Sequence, residues 1–451
     1  MTIETRSLPI LERAVNTLAE GYKHLPEFEP QFDAAAIQEV LIQAAERMWD
    51  NYPYPHPMYA GQMLKPPHPV ARLAYMMATW INPNNHALDG GKASSAMEKE
   101  AVEEIARMFG WSDHLGHLTG GGTLANLEAL WVANQLHPGK TIVASQQAHY
   151  THSRICGVLQ IPFEAVAVDD RARMDVSALE EKLKEGNIGT VVVTLGTTGV
   201  GSVDPLPAIL ELKARYGFRI HIDSAYGGYY ALVKSLPEYV VNAYAAIKAA
   251  DSIVIDPHKH GLQPYGCGCV LFKDPEVGRF YKHDSPYTYF SSSELHLGEI
   301  SLECSRAGAS AVALWSTMRL FPLVEDGEFA NGLASCRNAA VELHRRLSAD
   351  ARFVTPLEPD LDIVIWAPKA RTTSAMSERS EATFKAAEER HLYLATFSFP
   401  SRLIKLCYPE IEVDTEYTTC VRSALMKPEH SDWLARIWDV LDQVENDLSM
   451  R

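Results

Sequence analysis

Paired cysteines, long apolar runs and excess positive charge are all missing from this chain, and each absence excludes something. The seven cysteines are an odd number and form no Cys-x-x-Cys pair. Buried free thiols in a reducing compartment are therefore expected rather than a disulfide framework. Cys267 and Cys269 lie in a strand-like run whose alternation puts both on one face. No apolar stretch reaches membrane-spanning length, and Met1–Arg6 lacks the charged-then-apolar pattern of a secretory leader. The expectation is a cytoplasmic enzyme. With 41 Lys and Arg against 57 Asp and Glu, the net charge of −16 argues against a nucleic-acid partner. It does not exclude an acidic substrate, because a local arginine can override a global field. Histidines number 17, yet no His-x-x-x-His or His-Glu-x-x-His spacing marks a metal site, so no metal is expected. Internal repeats are also absent.

What is present begins with size. The chain has 451 residues, 47% of them hydrophobic, which exceeds a usual single core and predicts at least two domains. From Gly116 to about Asp274, apolar β-rich runs alternate with helical ones. The strands are expected at Thr141–Ala144, Thr190–Leu195, Arg219–Ile222, Ser252–Ile255 and Gly268–Phe272. The helices between them are expected at Leu124–Gln135, Val176–Lys184 and Leu206–Tyr216. Such alternation predicts an α/β fold, a mostly parallel sheet between helices. Residues 1–75 read as an arm: helical from Ala36 to Trp49, then rich in proline and aromatics to Pro69, and poorly able to fold alone. Ser95 and Glu98 have capping-box spacing at the start of a helix running to about Phe109. Residues 76–330 are expected to form the large domain, closing with a helix from beyond Arg306 toward Leu320. Residues 331–451 are expected to form a smaller α+β domain. Its strands would be Ile363–Trp366 and Ile404–Leu406, its polar loop Ala370–Glu381 and its last helix Trp433–Leu448.

Four motifs carry chemistry. Asp256-Pro257-His258-Lys259-His260-Gly261 follows the buried-strand run Ser252–Ile255. A lysine there is costly to bury unless something compensates. A Schiff base to an aldehyde cofactor would do so, by converting the ammonium to a delocalised imine. Asp223 ends the run Arg219–Ile222, with the small Ala225 two positions on. It suits the acid that a pyridoxal phosphate ring needs at its pyridine nitrogen, and Ala225 would let the ring lie flat. Thr119-Gly120-Gly121-Gly122-Thr123 opens into an apolar helix, as a phosphate cradle does. No Gly-Lys-Ser/Thr follows, so it is not a nucleotide P-loop. His149, in Ala148-His149-Tyr150-Thr151-His152, could stack on the ring.

The order and spacing of these pieces resemble the group II pyridoxal-phosphate decarboxylases, which include the aromatic-amino-acid, glutamate, tyrosine and cysteine-sulfinate decarboxylases. The resemblance runs from about His56-Pro57 to Arg422. It implies a fold-type I architecture of the aspartate aminotransferase superfamily, pyridoxal 5′-phosphate as cofactor, and a homodimer with shared active sites whose arms wrap the partner. It implies that Lys259 is the Schiff-base lysine, Asp223 the pyridine-nitrogen partner that steadies a quinonoid, and Ala225 the residue packed on the ring. His149 is implied as the stacking histidine, and Gly122, Thr123 and His258 as phosphate contacts. Thr198, in Leu195-Gly196-Thr197-Thr198-Gly199, would lie beside the cofactor, and Arg422 would bind the substrate's α-carboxylate.

Two departures stand out. Thr151 and His152 differ from the usual residues after the stacking histidine, and Asp256 stands where many members have Asn. The second is more like the archaeal tyrosine/aspartate branch and sphingosine-phosphate lyase. The expected reaction is decarboxylation of an L-amino acid to the amine and CO2, a carboxy-lyase activity. The alternative is another carbon–carbon lyase, by a retro-aldol route, or a decarboxylation-dependent aldehyde synthase. A general acid must protonate Cα, and Tyr287 or Tyr289, in a segment of loop composition, is the candidate. Gln62 resembles a glutamine of the glutamate and sulfinate branch and favours a small acidic or polar substrate, whereas Tyr59, Tyr287 and Tyr289 could line an aromatic pocket.

Overall fold

The computed structural model describes residues 4–86, 90–282 and 297–450. Seven strands form the main sheet: β1 Leu115–Thr119, β2 Thr141–Ser145, β3 Phe163–Val166, β4 Ile188–Thr194, β5 Arg219–Asp223, β6 Ser252–Ile255 and β7 Gly268–Phe272. Their order is β1-β7-β6-β5-β4-β2-β3. Only β7 runs against its neighbours; β3, β2, β4, β5 and β6 pair in parallel. The reason is legible in β4, where Val191, Val192 and Val193 are all fully buried. A strand covered on both faces has no polar side to turn to water. A second, antiparallel sheet lies in the C-terminal part: β8 Phe353–Val354, β9 Ile363–Pro368, β10 Ala395–Pro400 and β11 Tyr417–Ala424, in the order β10-β11-β9-β8. This is the fold class expected, an α/β large sheet with a smaller sheet after it.

Six helices precede or follow the first strands: α1 Leu8–Glu20, α2 Ala34–Arg47, α3 Pro69–Thr79, α4 Lys92–Met108, α5 Gly122–Leu136 and α6 Thr151–Leu159. Helix α2 is capped by Asp33, whose Oδ1 accepts from the amides of Ala35 and Ala36 at 3.0 Å. None of its residues is buried.

Three sequence expectations fail. Ser95 and Glu98 form no capping box: α4 begins at Lys92, and both residues lie buried inside it. The Glu98 carboxylate instead accepts from the Leu118 amide (2.9 Å), Asn85 Nδ2 (2.6 Å) and Arg306 Nη1 (2.9 Å). Ile404–Leu406 is not a strand but part of the helix Ser401–Cys407, because three residues, here Ile-Lys-Leu, are too few to distinguish a strand's period from a helix's. The polar stretch 370–381 enters the helix Thr373–Glu389, capped by Thr372. Its buried face is built from Met376, Ser380, Thr383 and Ala387, mostly small residues that hydropathy overlooks.

Candidate active site

Parallel strands deliver their chemistry to one edge. Thr119 ends β1, Ser145 ends β2, Thr194 ends β4, Asp223 ends β5, and Asp256 follows β6. The loops beyond these ends enclose a cavity of about 590 Å3, a size usual for cofactor sites. Gly122, Thr123, His149, Thr198, Asp223, Ala225, His258 and Lys259 all line it. The cofactor-site residues expected from the sequence thus converge on one space.

The glycine turn fits tightly. Gly121 has φ +148°, and a Cβ on Gly122 would stand 2.6 Å from Asp256 Oδ2. Helix α5 starts at Gly122, so the amides of Gly122 and Thr123, which line the cavity, have no helix carbonyl behind them. Lys259 Nζ lies 3.1 Å from Asp256 Oδ2, while Asp256 Oδ1 is buried without a hydrogen-bond partner. His258 pairs Nδ1 with the Cys267 carbonyl at 2.7 Å, and burial lowers its pKa. His149, half-buried, has its ring 4.4 Å from that of Tyr150, and burial lowers its pKa too.

Asp223 is held on both oxygens. Oδ2 is 2.9 Å from His152 Nε2, and Oδ1 accepts from the Ala225 amide at 3.0 Å. Burial alone would raise its pKa. The His152 hydrogen bond and charge, the Ala225 amide and the charge of Lys259 outweigh burial, and the carboxyl sits well below the usual range.

The substrate residues stand differently. Arg422, on β11, and Gln62 do not line the large cavity. They pair with each other, Arg422 Nη1 donating to Gln62 Oε1 at 3.3 Å. Gln62 borders a separate cavity of about 210 Å3 with Tyr52, Tyr59 and Tyr393. Arg422 is 4% exposed, and its Nε and Nη2 are buried without a hydrogen-bond partner. Tyr287 and Tyr289 lie outside the described residues.

Several wall residues were given no site role from the sequence: Thr151, Thr194, Tyr226, Asp256 and Tyr265. Behind them, the Tyr226 hydroxyl donates to Asp362, and His260 Nε2 lies 3.2 Å from the same carboxylate. This couples the residue after Lys259 to the start of β9. Thr151, His152 and Asp256 did carry a signal, as departures from the family's usual residues.

A family model, the pyridoxal-dependent decarboxylase conserved domain, matches residues 128–369, more than half of the chain. The chain belongs to this family. An L-tyrosine decarboxylase of Enterococcus faecium is 28% identical over 81% of this chain and 78% of its own. An L-aspartate decarboxylase of Thermococcus kodakarensis is 28% identical over 63% and 73%. Among solved structures, Oryza sativa TDC with PLP and tryptamine superposes with TM-score 0.79 at 16% identity, covering 99% of both chains. Mouse CSAD does so with TM-score 0.78 at 18% identity, over 98% and 99%. These two carry the fold alone.

As a pyridoxal-dependent decarboxylase the protein is a carboxy-lyase for an amino acid, with pyridoxal phosphate as its cofactor. The residues present fit that group. The cradle admits no Cβ at Gly122, a lysine amine and a carboxylate of depressed pKa share the cavity, and small Ala225 leaves room for a flat ring.

Proposed function

We propose that this decarboxylase converts a small acidic or polar L-amino acid to its amine and CO2, with Lys259, Asp223 and His149 as the central residues. The observation that carries the reading is their convergence with the glycine turn on one cavity. Bound pyridoxal phosphate supplies an electron sink for the pair left when the Cα–carboxylate bond breaks. Lys259 would hold the cofactor's aldehyde through Nζ. Asp256 Oδ2, 3.1 Å away, is placed to take the proton that the amine must shed. Asp223 keeps a proton on the pyridine nitrogen, and its low pKa suits it to stay charged there. Gly122, Thr123 and His258 would hold the phosphate, Ala225 and His149 would cover the two ring faces, and Thr198 would lie beside the ring.

Arg422 receives the α-carboxylate. Its buried, unpartnered Nε and Nη2 are donors in want of an anion. Decarboxylation needs the scissile bond perpendicular to the ring, and Arg422 with Thr198 and His149 would hold that pose. Gln62, on Arg422, supports a substrate with a second polar or acidic group. The names of two relatives, an L-aspartate decarboxylase and a probable one, point the same way. Tyr287 or Tyr289 returns a proton to Cα.

The arm supports a homodimer with shared active sites. Phe28 and Trp49 are 86% and 79% exposed, and Phe32, Val40 and Leu41 are exposed with them. A second copy would cover this surface. Among the described residues no helix is long and apolar enough to cross a membrane. The test is a panel of amino acids incubated with cofactor-loaded protein, with CO2 and amine followed by mass spectrometry. Amine with stoichiometric CO2 is expected. An aldehyde product, or cleavage without CO2, would overturn the reading.

A further inference from the structure

His152 is fully buried and stands where the family resemblance leads one to expect another residue. Helix α6 starts at Thr151, and His152 is its second residue. His152 Nε2 there lies 2.9 Å from Asp223 Oδ2. The other ring nitrogen, Nδ1, is buried with no hydrogen-bond partner.

An ionised carboxylate only accepts, so Nε2 carries the hydrogen and donates it to Asp223 Oδ2. Packing alone would be served as well by an apolar side chain of the same volume, without an orphaned nitrogen. The imidazole is there for its hydrogen bond.

We propose that His152 is a positioning residue. Together with the Ala225 amide at 3.0 Å it clamps both oxygens of Asp223, fixing the plane of the carboxylate and leaving the remaining lone pairs for the cofactor's ring nitrogen. This rests on Asp223 being the partner of that nitrogen.

The test uses full-length protein and free pyridoxal phosphate, without substrate. Two readouts are taken: the cofactor dissociation constant by equilibrium dialysis, and the absorbance of the bound cofactor as a function of pH. Removing a hydrogen bond to a charged group predicts roughly ten- to a hundredfold weaker cofactor binding in His152→Phe. It also predicts that the acid transition of the cofactor band moves to higher pH. Lys259, His149, Asp256 and His221 also bear on this region and are unchanged in the variant. His152→Gln, whose amide nitrogen can reach the position of Nε2 and donate to the same oxygen, restores most of both. If His152→Phe does not fold, His152→Leu carries the same test. A purely structural role would leave the transition in place. The proposal is overturned if the truncated variant keeps both affinity and transition within about twofold of wild type while Asp223→Asn loses them. If Asp223→Asn also leaves them unchanged, it is the reading of Asp223 that fails.

Discussion

Glu98 is a buried carboxylate outside the cofactor cavity, and truncating it should destabilise the large sheet sharply. The side chain is buried in α4 and accepts three hydrogen bonds, from the Leu118 amide, Asn85 Nδ2 and Arg306 Nη1. Arg306 is itself buried, and Nη1 also donates to the Leu118 carbonyl. Glu98→Ala leaves a guanidinium in the interior with no counter-charge. Breaking a buried pair from one side costs about 3 to 5 kcal/mol, a large share of the roughly 5 to 15 kcal/mol that keeps a domain folded. At about 2 °C per kcal/mol, the low end that a large domain implies, the thermal midpoint followed by circular dichroism should fall by about 6 to 10 °C. Because Leu118 precedes Thr119 and the glycine turn, cofactor affinity should fall with it. Removing the stranded charge as well, in Glu98→Ala with Arg306→Met, should recover part of the loss. A single variant within about 1 kcal/mol of wild type would refute the reasoning. A double variant that recovers nothing would move the loss from the guanidinium to Leu118 and Asn85.

Three further outcomes are expected. Lys259→Ala should abolish turnover and remove the imine absorbance of the loaded protein, and full retained activity would refute the assignment. Gly122→Ala places a Cβ 2.6 Å from the buried Asp256 carboxylate, so cofactor binding measured by dialysis should weaken by about tenfold or more. Burial, reinforced by the charge of Lys65, lowers the Lys427 amine to about 7. Between that value and its ordinary one the unfolded chain binds a proton that the folded chain does not, so raising pH stabilises the fold through this group. The thermal midpoint of the wild type should therefore climb relative to Lys427→Met between about pH 7 and pH 9, and parallel curves would contradict the shift.

The residues that follow strands were the most legible. Ser252–Ile255 and Gly268–Phe272 form strands at the expected bounds, because a short run of buried β-branched or apolar residues carries its own signal. A lysine, an aspartate or a glycine triplet just beyond such a run is conspicuous, which is why Lys259, Asp223 and Gly122 could be named before any coordinates. Arg422 was named too, but its place on β11 beside Gln62 rather than on the cavity wall was not foreseen.

The sequence by itself thus determined the α/β class and placed Lys259, Asp223 and the glycine turn just beyond strand ends. Each follows from local patterns: apolar runs, turn glycines and polar residues out of place. Tertiary structure alone decided who pairs with whom. His152 and Asp223 are 71 residues apart and meet at 2.9 Å. Glu98 leaves its supposed cap to hold Arg306, 208 residues away. The polar stretch after Ala370 becomes helical because β9 and β11 offer its small residues a surface to cover. A hydrogen-bond partner is chosen by whichever unsatisfied group the packed fold brings within reach, and no spacing along the chain encodes that.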